Sequence, residues 1–287
     1  MTFYNINGQQ IHVKEEGNPK NQLALLIHGW SSSWYAMSPL LPMLKRRFHC
    51  IAVDLPGYGQ SPPSPEHESM EHYADLMAEL IRKVSPDKPA VIVGHSMGGM
   101  ITLTLTLRYP ELVERIILLC PTVSGRLSLF TNLFISPGIL VERFVAPQIS
   151  RVLQPYLIPL TDHLMRPASL SERGGITQDD YERLRSDARN PNQSRVRAQC
   201  FWAMRDGDLR GKLEPIVEEI PSLVIWGMED NTVPLKDASA LVDEWPDLDL
   251  RILPRVSHWP QFEAPEITRR YIKAFLGKPL KLIQAVF

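Results

Sequence analysis

Apolar positions along this chain change their period from segment to segment, and the changes mark its elements. Phe3 to Val13 alternates apolar and polar residues about Asn7-Gly8, which predicts a hairpin. Leu23-Ala24-Leu25-Leu26-Ile27, Pro89-Ala90-Val91-Ile92-Val93 and Val113 to Leu119 are continuous apolar runs, the pattern of parallel strands buried on both faces. Helical spacing lies between them. Tyr73, Leu76, Met77, Leu80 and Ile81 recur one helix turn apart within 70–84 and predict a face turned toward a sheet. Segments 34–45 and 97–108 also read as helices. Strands alternating with helices predict an α/β fold with a mostly parallel sheet.

The alternation stops after Cys120. Residues 121–221 are helix-like and broken by prolines, and a compact domain rarely carries so long a stretch without structure of its own. The stretch predicts a helical cap inserted over the C-terminal edge of the sheet, where open α/β sheets bind ligands. Alternation resumes with Ser222 to Trp226, a helix near 234–245, the strand Leu248 to Leu253 and a helix over 264–276 that Gly277 ends. The expected division is a core of 1–120 and 221–287 with a cap of 121–220. The amphipathic tail 278–287 fits either a packed strand or an extended arm.

Within this frame one turn carries chemistry. Gly94-His95-Ser96-Met97-Gly98-Gly99 joins an apolar strand to a helix. A serine at the tip of so tight a turn is strained and exposes its hydroxyl, and glycines on either side remove the β-carbons that would clash. Met97 then offers its backbone N–H at a helix N-terminus, where a developing oxyanion is favoured. A serine nucleophile needs a base, and the base needs a group to orient it. Asp230, on the loop after the strand 222–226, and His258, just beyond the strand 248–253, follow Ser96 in the order expected of one serine-hydrolase architecture. Glu229 is the rival acid, and Asp230 could instead cap the helix that follows.

These residues resemble those of the α/β-hydrolase superfamily over nearly the whole chain. His28-Gly29-Trp30 resembles its oxyanion loop, and Asp54-Leu55-Pro56-Gly57-Tyr58-Gly59-Gln60-Ser61 the loop after the next strand. The elbow around Ser96, the acid loop at Asp230 and His258-Trp259-Pro260 complete the set. The resemblance implies a twisted, mostly parallel, eight-stranded sheet flanked by helices, with an inserted helical cap. It implies a catalytic triad of Ser96, Asp230 and His258 and an oxyanion hole of the Trp30 and Met97 N–H groups. His28 and His95 would support loops. No cofactor and no metal are implied. The expected activity is hydrolysis of a carboxylic ester with an apolar acyl or aryl part, through an acyl-enzyme. A carbon–carbon bond hydrolase of a ring-cleavage dienoate is the alternative within the enzymes. Epoxide and haloalkane hydrolases use an aspartate where this chain has Ser96. A non-catalytic small-molecule receptor on the same scaffold is the alternative outside them.

Composition narrows the partners. The chain has 287 residues, 44% of them apolar, enough for one large core or two domains, and a net charge of −1 gives no global attraction to nucleic acid or an anionic membrane. Neither a basic, apolar leader nor an 18-residue apolar run is present in it, so no membrane insertion and a cytoplasmic location are expected. The three cysteines show no metal-ligand spacing; Cys50 and Cys120 read as small buried hydrophobes, and Cys200 falls in a predicted helix. Substrate preference should be written in the cap. Phe130 and Phe134, with Trp202 and Trp259, are the expected pocket lining. Arg195 or Arg205 could clamp a substrate carboxylate, though a solvated basic face over 183–210 explains the arginines as well. The oligomeric state is left open.

Overall fold

The computed structural model describes residues 2–65, 67–134, 175–188, 190, 193–217, 219–245 and 248–279. Eight strands form one sheet: β1 (Thr2–Ile6), β2 (Gln9–Glu16), β3 (Leu23–Ile27), β4 (His49–Val53), β5 (Ala90–His95), β6 (Val113–Leu119), β7 (Ser222–Gly227) and β8 (Asp249–Leu253). Their order is β1-β2-β4-β3-β5-β6-β7-β8. The expected hairpin is the antiparallel edge, its turn made by Asn7 at φ 51° and Gly8 at φ 91°. This is the left-handed pair that matches strand twist in a two-residue loop. From β4 onward all neighbours are parallel.

The parallel strands divide their side chains between two cores, as a period of two requires. Leu25, Ile27, Ile51, Val53, Ile92 and Leu118 face one, against Tyr73, Met77, Leu80 and Met100 of the helices Met70–Val84 and Met97–Arg108. Leu26, Ala52, Val91, Val93, Ile117 and Leu119 face the other, against Met37, Leu40, Leu44 and the helix Pro265–Leu276. Replacing a fully buried side chain such as Leu80 by alanine should cost about 2–5 kcal/mol. The region 34–45 is not one α-helix. It is a 3₁₀ stretch, Trp34–Leu40, followed by one turn, Leu41–Leu44. Pro39 and Pro42 lack the N–H groups that a continuous helix would need there.

β4 and β5 lie on opposite sides of β3, so the strand order reverses between them. Crevices at such reversals, outside the carboxyl ends of the strands, are where open α/β sheets bind ligands. Between β6 and β7 the described residues form helices at Leu129–Phe134, Gln178–Ala188, Ser194–Asp206 and Glu214–Val217, and no strand. The apolar residues Ile135, Ile139, Leu140, Phe144 and Val145, and the tail from 280, lie outside the described residues. No described helix is long and apolar enough to cross a membrane.

Candidate active site

Ser96 joins β5 to the helix Met97–Arg108 at φ 54°, ψ −118°. The left-handed φ is uncommon for a residue with a β-carbon and is costly without a surrounding structure that imposes it. Here the neighbours impose it. Ser96 N–H donates to Leu119 O at 3.0 Å, and Ser96 O accepts from Gly99 N–H at 2.9 Å and Thr122 N–H at 3.1 Å. The two flanking glycines are sterically required. A β-carbon on Gly94 would stand 2.4 Å from Gly98 O, and one on Gly98 would stand 2.3 Å from Ile27 O. Met97 is the first residue of the helix, so its N–H is one of those without an intrahelical acceptor and lies at the positive end of the dipole.

The other two members of the constellation stand at the ends of the next strands. His258 Nδ1 lies 2.8 Å from Asp230 Oδ2, with the side chains 5% and 0% exposed. Asp230 Oδ1 accepts from Thr232 N–H at 2.8 Å and Val233 N–H at 2.9 Å, so both carboxylate oxygens are held. An ionised carboxylate only accepts, so a neutral imidazole facing it keeps its hydrogen on Nδ1 and leaves Nε2 free to accept. Glu229 is exposed, and its backbone meets this loop, its O accepting from Ser257 Oγ and its N–H donating to Val256 O.

His95 ties this pair to the elbow. Its Nε2–H donates to His258 O at 2.8 Å, and its ring lies 4.9 Å from that of His258 and 4.5 Å from that of Trp259. Burial, reinforced by His258, holds His95 well below the usual histidine range, so it stays neutral. His28 is also lowered by burial; its Nε2 accepts from Leu55 N–H at 3.0 Å and so joins the loop after β3 to the loop after β4. Asp54 is likewise occupied with backbone, accepting from Trp34 N–H at 2.7 Å and Gln60 N–H at 2.9 Å, and with His12 at 2.7 Å.

Gly29 passes close to Ser96: a β-carbon there would stand 2.9 Å from Ser96 Cβ and 3.1 Å from His95 Nδ1. The next residue, Trp30, donates its Nε1–H to Arg197 O at 2.8 Å, and its ring lies 5.9 Å from Phe201. Ser33 Oγ donates to Asp187 at 2.5 Å, and Tyr35 OH to Asp180 at 2.7 Å. Burial raises the Asp187 carboxyl above the usual carboxylate range. The helices Gln178–Ala188 and Ser194–Asp206 therefore rest on the loop that carries Gly29 and Trp30.

The residues expected to touch substrate are spread more widely. Trp259 is half-buried beside His258. Trp202 is half-buried, with the Arg205 guanidinium 5.3 Å from its ring. Arg195 and Arg205 are both exposed. The side chains of Phe130 and Phe134 lie outside the described residues, and their neighbours Leu129 and Leu133 are 82% and 63% exposed. A cavity of ≈ 1180 Å³ lined by Pro42, Arg46, Arg269 and Lys273 lies elsewhere and includes none of these residues.

Two neighbours escaped the sequence reading. Glu263, buried, accepts from Ser257 N–H at 3.2 Å and Trp259 N–H at 3.0 Å and so braces the backbone on both sides of His258. A Glu just after Trp-Pro, where a helix begins, was the available signal. Cys120, the residue after β6, lies against Asp230 and His258, and burial followed by the Asp230 charge pushes its thiol well above the usual range. Nothing in its sequence context distinguishes it from a core residue.

A family model described as alpha/beta hydrolase fold matches residues 24–265. An uncharacterised hydrolase of Bacillus subtilis, YugF, is 27% identical over 276 residues, covering 95% of this chain and 96% of its own length. A 2-hydroxy-6-oxononadienedioate/2-hydroxy-6-oxononatrienedioate hydrolase of Comamonas testosteroni is 26% identical over 277 residues, covering 93% and 91%. Among solved structures, a thermophilic esterase from Thermogutta terrifontis superposes with a TM-score of 0.71 at 20% identity, covering 93% of each chain. That level of identity supports the shared fold and no more.

Proposed function

The chain belongs to the α/β-hydrolase fold family and is a hydrolase of that type, and we propose that it is a serine hydrolase cleaving a carboxylic ester with an apolar acyl or aryl part through an acyl-enzyme. The observation that carries this reading is the buried 2.8 Å contact of His258 with Asp230, fastened through His95 to the elbow that bears Ser96. In the proposed cycle Ser96 Oγ attacks the ester carbonyl while His258 Nε2 takes its proton. Asp230 keeps the imidazole in the tautomer that leaves Nε2 free and stabilises the imidazolium. The N–H groups of Met97 and Trp30 receive the oxyanion. His258 then protonates the leaving alcohol, and water activated by the same imidazole releases the acid.

We further propose that residues 121–220 act as a cap that selects the apolar acyl or aryl part. The helices resting on the Gly29–Tyr35 loop support this. Carbon–carbon hydrolysis is the second reading, and the Comamonas relative, whose name specifies a dienedioate hydrolase, favours it. The exposure of Arg195 and Arg205 speaks against their clamping a substrate carboxylate and leaves the ester reading ahead. A panel of p-nitrophenyl esters from acetate to palmitate, run beside a ring-cleavage dienoate, tests both. Turnover of esters and none of the dienoate is expected; the reverse would replace the first reading by the second.

A further inference from the structure

Cys120 is held in an unusual place for a core residue. Its backbone adopts φ 43°, its N–H donates to Ile225 O at 2.9 Å, and its side chain is fully buried. The thiol approaches Ser257 O at 3.7 Å, a weak contact. Its sulfur, a carboxylate oxygen of Asp230 and a ring nitrogen of His258 all lie within 4.8 Å of one another. Left-handed backbone at a residue with a β-carbon is costly and persists where the surroundings impose it. The residue so fixed here places a sulfur beside a nitrogen and an oxygen.

We infer that Cys120, Asp230 and His258 form a binding site for a thiophilic divalent cation, zinc or cadmium, and that its occupancy switches the proposed catalytic site off. Thiolate, imidazole and carboxylate are the donor set that suits zinc. Bonds of about 2.0–2.3 Å at tetrahedral angles put donor atoms roughly 3.3–3.8 Å apart. The Nδ1–Oδ2 pair, at 2.8 Å, therefore opens to admit the cation, while the sulfur, within 4.8 Å of both, closes by on the order of 1 Å. Water completes the fourth position. The nitrogen on the carboxylate's side is Nδ1.

Proton accounting then gives the consequence. Binding at sulfur releases the thiol proton to solvent, and no electrons change hands. Binding at Nδ1 moves the imidazole proton to Nε2 through solvent, leaving the ring neutral. Asp230 Oδ1 keeps its two backbone donors while Oδ2 turns from Nδ1 to the cation. Nε2, now carrying hydrogen, can no longer accept the proton of Ser96. Inhibition therefore works through the wrong tautomer and is reversed by chelation. This second half rests on the serine-hydrolase reading; the binding half does not.

The test titrates the full-length protein with cadmium chloride, following the ultraviolet thiolate-to-cadmium charge-transfer band and, in parallel, ester hydrolysis relative to each protein's own metal-free rate. Wild type should show a band saturating at one equivalent, with activity lost in step and restored by EDTA. Cys120→Ser and Cys120→Ala, checked for folding by circular dichroism, should lack the band although Cys50 and Cys200 remain. Losing a ligand should cost more than losing one of its outer hydrogen-bond partners, so these variants should need at least about tenfold more cadmium for equal inhibition. No band in folded wild type, a band that survives both substitutions, or equal inhibition of all three proteins would overturn the inference. A protein inert toward esters yet showing the Cys120-dependent band would sink the hydrolase reading and uphold the site.

Discussion

Two regions meet at Ser96, and they are held by different kinds of contact. On the sheet side, Ser96, Asp230 and His258 stand at the ends of β5, β7 and β8, and backbone groups fix each of them. Leu119 O, Gly99 N–H and Thr122 N–H hold Ser96; Thr232 and Val233 N–H hold Asp230; His95 holds His258 by its carbonyl. On the other side, the helix Ser194–Asp206 packs Val196, Cys200, Phe201 and Met204 into the core, and side-chain ties join the helices between β6 and β7 to the loop after β3: Trp30 to Arg197 O, Ser33 to Asp187 and Tyr35 to Asp180. The sheet side holds the proposed triad by directional hydrogen bonds. The helix side is held by apolar packing and by side-chain hydrogen bonds onto the loop after β3.

The largest effects should come from the sheet side. Ser96→Ala and His258→Ala should each lower ester turnover by about 10³-fold or more. Asp230→Asn should retain somewhat more, and Glu229→Gln should behave as wild type, since its carboxylate is exposed. Loss of activity in Glu229→Gln with retention in Asp230→Asn would reverse the assignment of the acid.

Gly29→Ala should come next. The added methyl would push the loop away from Ser96 Cβ and His95. Displacing one oxyanion donor costs about 10²-fold in kcat, and steady-state kinetics should find a loss of that order with KM less affected. An unaltered kcat would remove this loop from the oxyanion hole.

The buried histidines give the sheet side an acid limit. His95 and His28 both have folded-state pKa values below the ordinary 6.5. The unfolded chain therefore takes up protons that the folded chain refuses, and stability present above that value is lost as pH falls below it. Melting temperature should drop on the acid side of about pH 6.5, and His95→Gln should flatten part of the slope. A melting temperature that held or rose on acidification would contradict the neutral assignment.

Smaller effects belong to the helix side. Asp187→Ala removes the tie to Ser33 and should cost about 1 kcal/mol of stability in a denaturant titration, raising KM while leaving kcat nearly unchanged. A kcat loss comparable to that of Gly29→Ala would mean that these helices position the reacting groups after all. Smallest of all, Arg195→Ala and Arg205→Ala should leave the ratio of rates for a free acid and its methyl ester almost unchanged, because exposed charges are screened. A preference for the acid that vanished in either variant would promote the carbon–carbon reading.

The same division sets what could be read from sequence. Strand runs such as Leu23–Ile27 and Val113–Leu119, and the helices 70–84 and 97–108, were legible because burial in a parallel sheet leaves little freedom in composition. The elbow was legible because two glycines must flank so strained a serine. The 3₁₀ stretch at 34–40 was missed because Pro39 within it and Pro42 just after it interrupt an otherwise helical apolar pattern. Cys120 was invisible because its importance comes from a long-range neighbour, Asp230, and Glu263 was overlooked although its partners Ser257 and Trp259 are close in sequence. The arginines at 195 and 205 stayed ambiguous because charge in a helix does not say which face meets solvent.

The central claim is that Ser96 is an activated nucleophile, and covalent labelling by a fluorophosphonate probe tests it most directly. Intact-mass measurement of wild type should find one probe per chain, added rapidly and located by peptide mapping at Ser96, with no labelling of Ser96→Ala and slow labelling of His258→Ala. Folded wild type that takes up no probe, or takes it up equally well in Ser96→Ala, would contradict the account.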